Sequence, residues 1–451
     1  MAQITLAQAA RWCGGRIEEK YAGITFSGAN IDSRQLKSGQ LFVALQGVRD
    51  GHEFIPMAME KGAAAVLCSR KVGEYPAILV EDPRIALGQI AAGLRQEIGM
   101  TVVGVTGSVG KSTTKEMVAC VLEGDYVVSK TPANFNNDLG LPMAILDMPL
   151  DTQVAVLEMG MSHFGEISYL SKLAKPDVGV ITNIGTMHME NLGSREGILQ
   201  AKLEILDGMS AQGQLCLFGD DDMLWGSRQK LGCAVTYFGI QNGNADILAE
   251  AAEQTENGLC FSVRAGEKDF SVTLPLEGMH YVSDALAAIG VGLALKVSPA
   301  SIAARLSRFR NMEGRQEIFE AKGCTIIKDC YNAGPESMAA ALKVLGGRKG
   351  HRIAVLGDML ELGACSPEEH RKVGRQAALQ ADMLLAFGPQ APLMVQGAKE
   401  GGMQDALAFD SREKMAQQLK LCCKLGDVLL FKGSHGMHME LVLEQFLKEE
   451  T

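Results

Sequence analysis

The sequence predicts a three-domain α/β chain: a small N-terminal α/β unit, a central parallel-sheet domain behind a phosphate loop, and a C-terminal doubly wound, Rossmann-like domain. Three observations lead there. Residues 101–116, TVVGVTGSVGKSTTKE, pass from an apolar β-branched run through a glycine-rich turn into a helical pattern. Strand-like runs at 154–157 and 178–182 then alternate with helical periodicity, the longest over 194–209. Beyond residues 311–314 the rhythm restarts, with strand-like runs at 324–327, 353–356, 383–387 and 428–431.

Residues 1–82 carry short apolar runs, such as 41–45 and 63–68, between glycine-rich and polar turns, and form the first unit. Pro83 marks a break before a helical stretch, 85–98, that leads to the phosphate-loop strand. The expected divisions are 1–82, 83–312 and 313–451, each with its own core. The βαβ rhythm implies a parallel, buried sheet whose sites lie at the C-terminal ends of its strands. There is no internal repeat and no low-complexity segment.

Hydrophobic residues at 47% and charged residues at 21% describe an ordinary globular protein. A net charge of −10 excludes a general nucleic-acid surface, so anionic substrates must meet local Lys/Arg pockets. The 11 cysteines show neither a CxxC pair nor a metal spacing, which reads as reduced thiols. The N-terminus lacks a secretory pattern, and the most apolar run, near 285–295, is about half of a membrane span. The expectation is a soluble, cytoplasmic monomer with no nucleic-acid partner and no membrane span.

The turn from Thr106 through Gly107, Ser108, Val109 and Gly110 aims backbone N–H groups at one small volume, backed by the positive end of the following helix. Lys111 adds a mobile counter-charge, and the hydroxyls of Ser112 and Thr113 follow, one of them available to Mg²⁺. A bound nucleoside triphosphate is expected. The common phosphate-loop pattern would have a further glycine at Val105, and the competing reading is a plain glycine turn with a solvated lysine.

Glu158 ends a strand where a Mg²⁺ partner is expected, or else is an ordinary strand-end acid. Read alone, His188 is a hydrogen-bonded loop residue and Lys202 a solvated helix lysine. Asn134, Asn136 and Asn137 suit turn chemistry or amide contacts to a peptide-like substrate. Arg315 is either a hinge arginine or a guanidinium placed over phosphates. In the last third, DCYNAGP (329–335), GDMLELG (357–363) and KGSHG (432–436) each follow a strand, which favours a site facing the nucleotide domain.

Taken together these segments resemble the Mur ligase family, in its D-alanyl-D-alanine-adding branch, over nearly the whole chain. The resemblance rests on Asp32-Ser33-Arg34, GQLFVALQG (39–47) and Asp50-Gly51-His52, then on TGSVGKSTTKE, NFNNDLGLP, LEMGMSHFGEI, NIGTMHMENLGS and AKLEI. It continues in GRQE, DCYNAGPES, VLGDMLELG and KGSHGM. It implies an ATP- and Mg²⁺-dependent amide ligase of peptidoglycan precursor synthesis that joins D-Ala-D-Ala to UDP-N-acetylmuramoyl-tripeptide through an acyl phosphate. The first domain would then bind the UDP-sugar, with Ser33 and Arg34 in its pocket.

By the same resemblance Lys111 holds the β- and γ-phosphates, Ser112 and Glu158 bind one Mg²⁺, and His188 binds a second. Lys202 becomes a carbamylated lysine, a role that only the resemblance supplies. Arg315 contacts the γ-phosphate, and His280 belongs to the adenine side. Asn136 and Asn137 lie near the muramoyl-peptide and the nucleotide, and Asn332 and Asp358 near the D-Ala-D-Ala.

Three positions depart from the family pattern. Gly334 stands where an asparagine is usual, Asp284 ends an adenine-side motif that usually ends in asparagine, and His435 replaces an arginine. An aspartate cannot donate an amide hydrogen bond. Among rivals, the ligase adding the third peptide residue carries Asp-Asn-Pro-Arg, which is missing here, and folylpolyglutamate synthetase lacks the first domain. A GTPase would need Asn-Lys-x-Asp, also missing. A non-catalytic binder of UDP-sugar peptides would have no use for Lys111, Glu158, His188, Lys202 and Arg315 together.

Overall fold

The structure, a computed structural model, describes residues 2–229 and 231–448, so the outer ends of the first and third expected units (residue 1 and residues 449–451) lie outside the described residues. Near the N-terminus, Ala29–Asn30, Leu41–Val43, Ala65–Cys68 and Ala77–Leu79 form a four-stranded parallel sheet in chain order. One face closes over Leu36, Phe42, Ala44, Ile55 and Val66. The other face packs against the rest of the chain. Its Leu41, Val43, Ala65 and Leu67 join a cluster that runs through Leu87 and Leu141 to Leu157 and Leu217.

The bridging helix, Pro83–Ile98, starts two residues before the expected position because the local chemistry is a complete start signal. The Asp82 carboxylate accepts the Arg84 N–H at 2.7 Å, Pro83 needs no hydrogen-bond partner, and Gly99 at φ 67° ends the helix. The expected long helix over 194–209 is instead Arg195–Leu203 followed by a 3-10 turn, Glu204–Asp207.

The central sheet has nine strands. From Val128–Lys130 its neighbours are Val154–Glu158, Thr101–Thr106, Val178–Ile181, Gln214–Phe218, Ala234–Gly239 and Ile247–Thr255, all parallel. Gly258–Ala265 and Lys268–Leu274 extend it as an antiparallel meander that was not among the expected elements. Its tight turns, one built on Gly266 at φ 64°, allow the hairpins. Register does the functional work, pairing Thr106 with Ile181 and Val105 with Glu158. The phosphate loop, Thr182 and Glu158 therefore emerge at one edge.

The last sheet orders Glu317–Ala321, Cys324–Asp329, Val428–Lys432, Arg352–Gly357, Met383–Phe387 and Ala406–Phe409, parallel except for the first pair. The four expected strands are present, 383–387 at the expected bounds and the other three longer by one or two residues. All 11 cysteines are unbridged. Among the described residues, no helix is long and apolar enough to cross a membrane.

Helix His280–Ala294 packs along the phosphate-loop helix, Lys111–Leu122, and brings Asp284 beneath the loop. Thr114 Oγ1 donates to Asp284 Oδ1 at 3.0 Å. A Cβ at Gly110 would lie 2.5 Å from that oxygen, and Gly110 sits at φ 86°, so both space and backbone demand glycine. Asp284 thus supports the phosphate loop from below.

Burial raises the Asp284 carboxyl to about 8, against the lowering effect of the Thr114 hydrogen bond and nearby Arg315. Its unfolded value is about 4, so between these limits the native state holds a proton that the unfolded state has lost. Its contribution to stability therefore falls as pH rises from about 4 to about 8 and is level above that. Asp284→Asn, neutral at every pH, should be more stable than wild type at pH 8 by on the order of a few kcal/mol, and nearly equal to it at pH 4. Urea unfolding at several pH values measures this, and a difference independent of pH would contradict it.

Candidate active site

The phosphate loop is held by the strand next to it. Ser108 N–H donates to Asn183 O at 3.1 Å and Val109 N–H to Asn183 Oδ1 at 3.0 Å. In return, Asn183 Nδ2 and Thr182 Oγ1 donate to Val109 O at 2.9 and 2.6 Å. A Cβ at Gly107, where φ is 149°, would meet Thr182 Oγ1 at 1.8 Å. Among the described residues, nothing accepts from the N–H groups of Gly110, Lys111, Ser112 and Thr113. A braced loop with bare amides at a helix start is an anion site. Sequence reasoning passed over Asn183 and Thr182, although both lie in or beside the quoted segment NIGTMHMENLGS.

Lys111 folds back, its Nζ donating to Gly107 O at 2.9 Å and Ser108 O at 3.2 Å. Burial lowers its pKa, the Glu158 carboxylate raises it, and Arg315 lowers it again. Thr106 is fully buried with its hydroxyl unpartnered. Arg315 comes from the far side of the 311–315 segment, and its Nη2 donates to Ser112 Oγ at 3.2 Å while the guanidinium lies 3.9 Å over the Tyr331 ring. Asn311 Nδ2 anchors that segment to Tyr281 Oη at 2.8 Å and to Arg315 O at 2.7 Å.

Glu158 is 2% exposed. Its Oε1 accepts from Asn136 Nδ2 at 2.9 Å, while Oε2 is buried without a partner. The two asparagines separate here. Asn136 aims at the carboxylate, whereas Asn137 is exposed and caps the helix Gly140–Leu146, its Oδ1 accepting from Gly140 N–H at 2.8 Å.

His188 takes a left-handed backbone, φ 63°, and its Nδ1 lies 2.9 Å from Glu361 Oε2 without hydrogen-bond alignment. Glu361 is a further residue that sequence reasoning did not single out within GDMLELG. Lys202 is 2% exposed and no residue hydrogen-bonds its amine among those described. Burial first, and then the Lys111 charge, hold its pKa well below the ordinary value. The solvated-lysine reading fails.

No group of three or more His, Cys, Asp or Glu encloses a common point among the described residues. An orphaned carboxylate oxygen at Glu158, on the strand paired with the phosphate-loop strand, fits Mg²⁺, which takes one or two protein oxygens and completes its shell with phosphates and water.

The remaining candidates lie farther out. His280 sits against Tyr281, ring centroids 4.1 Å apart, and burial lowers its pKa to about 4, so it is neutral at pH 7. Asn332 Oδ1 turns back to its neighbour's Ala333 N–H at 2.8 Å. Lys432 Nζ bonds Asn332 O at 2.9 Å and Asp329 Oδ2 at 2.7 Å, a buried pair that fixes this loop. Asp358 Oδ2 accepts from Gln390 N–H at 2.9 Å, and its Oδ1 is buried and unpartnered. At the distant N-terminal sheet, Ser33 is buried with its hydroxyl 3.4 Å from Met57 Sδ. Arg34 is exposed and forks onto Asp32 at 3.0 and 2.8 Å. His435 is exposed beside Tyr331 and His438.

Three family descriptions match the chain: the Mur ligase family catalytic domain over residues 25–95, the Mur ligase middle domain over 105–292, and the Mur ligase glutamate ligase domain over 314–435. The UDP-N-acetylmuramoyl-tripeptide–D-alanyl-D-alanine ligase of Bacillus subtilis is 39% identical over 439 residues, 95% of each chain. A crystal structure of MurF from Acinetobacter baumannii superposes with a TM-score of 0.91 at 32% identity over all of both chains. MurF from Thermotoga maritima, solved in complex with ADP, gives 0.82 at 33% identity, covering 94% of this chain and 97% of that one. Likeness of this extent, together with a braced phosphate loop facing the strand ends of a second sheet, shows that the chain belongs to the Mur ligase family.

Proposed function

We propose that this chain is an ATP-dependent ligase that joins D-alanyl-D-alanine to UDP-N-acetylmuramoyl-tripeptide, in cytoplasmic peptidoglycan precursor synthesis, as a monomer. The observation that carries the reading is Arg315 at Ser112. A cation from beyond the hinge reaches the phosphate loop at 3.2 Å, where a γ-phosphate would face the loops of the last sheet. Residues 1–82 take the UDP-sugar, 83–312 the ATP and 313–451 the dipeptide.

In the first step an oxygen of the tripeptide's terminal carboxylate bonds to the γ-phosphorus. The bond from that phosphorus to the β–γ bridging oxygen breaks, and ADP leaves. In the second, the dipeptide amine bonds to the acyl carbon, the bond to the phosphate oxygen breaks, and the nitrogen sheds a proton. Both steps concentrate negative charge, so the protein's part is positioning and electrostatic stabilisation.

The amides of Gly110 to Thr113 receive phosphate oxygens, and Lys111 swings from its loop carbonyls onto the β- and γ-phosphates. Arg315 meets the transferring group. Ser112 and Glu158 would hold one Mg²⁺, with His188 and a carbamylated Lys202 toward a second. Magnesium supplies charge neutralisation on the phosphates. Burial and the Lys111 charge lower the Lys202 pKa and so favour its free amine, the form whose lone pair can add CO₂. Asn136 orients Glu158, and Asn137, Asn332, Asp358, Ser33, Arg34 and His280 border the substrates.

Phosphate release in the presence of ATP and Mg²⁺ should require UDP-N-acetylmuramoyl-tripeptide and D-Ala-D-Ala together, and equal release with either omitted would sink the ligase reading. Lys202→Ala should lower kcat by at least about 100-fold, with partial rescue by acetate or bicarbonate. An unchanged rate would remove the carbamate. Arg315→Ala should lower kcat by ~10²-fold or more with ADP affinity little changed, as measured by single-turnover kinetics and equilibrium binding.

A further inference from the structure

The loop that follows strand Val178–Ile181 is gripped along its length by the last sheet's loops. Glu336 is the second residue of helix Pro335–Gly346, directly after the acceptor-side loop Asn332-Ala333-Gly334. Its Oε1 accepts both the backbone N–H and the hydroxyl of Thr186, at 2.9 and 3.0 Å. The preceding Gly185 N–H donates to Ser108 Oγ at 2.9 Å, inside the phosphate loop. An unbroken path of short contacts thus leads from the acceptor-side helix to the residues that cradle phosphate.

Two glycines are there for space rather than for their turns. A Cβ at Gly185 would lie 2.8 Å from the Glu336 carboxylate, and one at Gly334 would lie 2.9 Å from Met187 Cγ. Gly334 has φ −147°, and Gly185 does not have a positive φ either, so another residue could adopt both backbones. Two residues on, Glu361 meets His188, and Gly363 lies against Glu190. An acid in a helix's first turn ordinarily serves its own helix dipole. Glu336 instead takes two charge-assisted bonds from another sheet's loop.

We propose that Glu336 is an inter-domain positioning residue: through Thr186 and Gly185 it fastens the phosphate loop to the acceptor-binding helix, so that dipeptide binding and phosphate-loop order are coupled. This rests on the ligase reading above. Glu336 is exposed, so its truncation leaves the core intact. It touches no reacting atom.

The test uses the full chain and measures amide exchange over residues 183–190 beside steady-state kinetics. Glu336→Ala should raise exchange in that segment by about tenfold or more and raise KM for D-Ala-D-Ala several-fold, with the melting temperature nearly unchanged. Glu336→Gln keeps an accepting oxygen and should recover most of both. Gly185→Ala should also raise KM, and adding Glu336→Ala to it should relieve the clash, making the double variant better than the sum of the two losses. Wild-type exchange and KM in Glu336→Ala, or strict additivity in the double variant, would overturn the proposal. Failure of the wild type to release phosphate with both substrates would instead overturn the ligase reading, and the exchange arm would still judge the contact.

Discussion

A phosphate loop must be rigid while leaving its amides unpaired, and these demands conflict, because a backbone is ordinarily held in place by pairing those same amides. Here the conflict is resolved by holding the loop from its other groups. Val109 O is taken twice by Thr182 and Asn183, and Thr114 is tied to Asp284 below. The N–H groups of Gly110 to Thr113 are thereby left for a ligand without leaving the loop loose. The nearby contacts of Ser112, Arg315 and Gly185 all assume that this loop keeps its place.

Burial then sets the chemistry. Glu158 keeps a buried, unpartnered oxygen, and Lys202, 2% exposed, has its pKa lowered by burial. Groups in that condition are unfavourable in an empty protein and become favourable once counter-charges arrive. The binding of phosphates and metal is thereby coupled to relief of desolvation. A solvated arrangement of the same residues would offer the same charges with far less preference for the ligand.

The legible part of this protein was whatever local chemistry repeats along the chain. The strand–turn–helix at 101–116, the break at Pro83 and the strand ends carrying Glu158 and Asp329 all stand where periodicity and turn residues put them. The antiparallel strands 258–265 and 268–274 are not legible, because which sheet edge a short strand pairs with is decided by contacts remote in sequence. Asn136 and Asn137 were indistinguishable as letters. One points at a carboxylate and the other closes a helix turn, since neighbouring side chains leave the backbone in different directions.

Sequence by itself determined the fold class, the phosphate loop and the family, because glycine spacing, hydrophobic period and ordered segments are local properties. Tertiary structure alone decided the surroundings of His188, Lys202, Asp284 and Gly334. Lys202 is buried by residues remote in sequence, and Asp284 reaches Thr114 across 170 positions. Gly334 makes room for Met187, and His188 meets Glu361 only where two sheets face each other. Even the missing glycine at position 105 is explained there: Val105 is an interior residue of the phosphate-loop strand, so the turn begins at Gly107, where Thr182 leaves space for nothing larger.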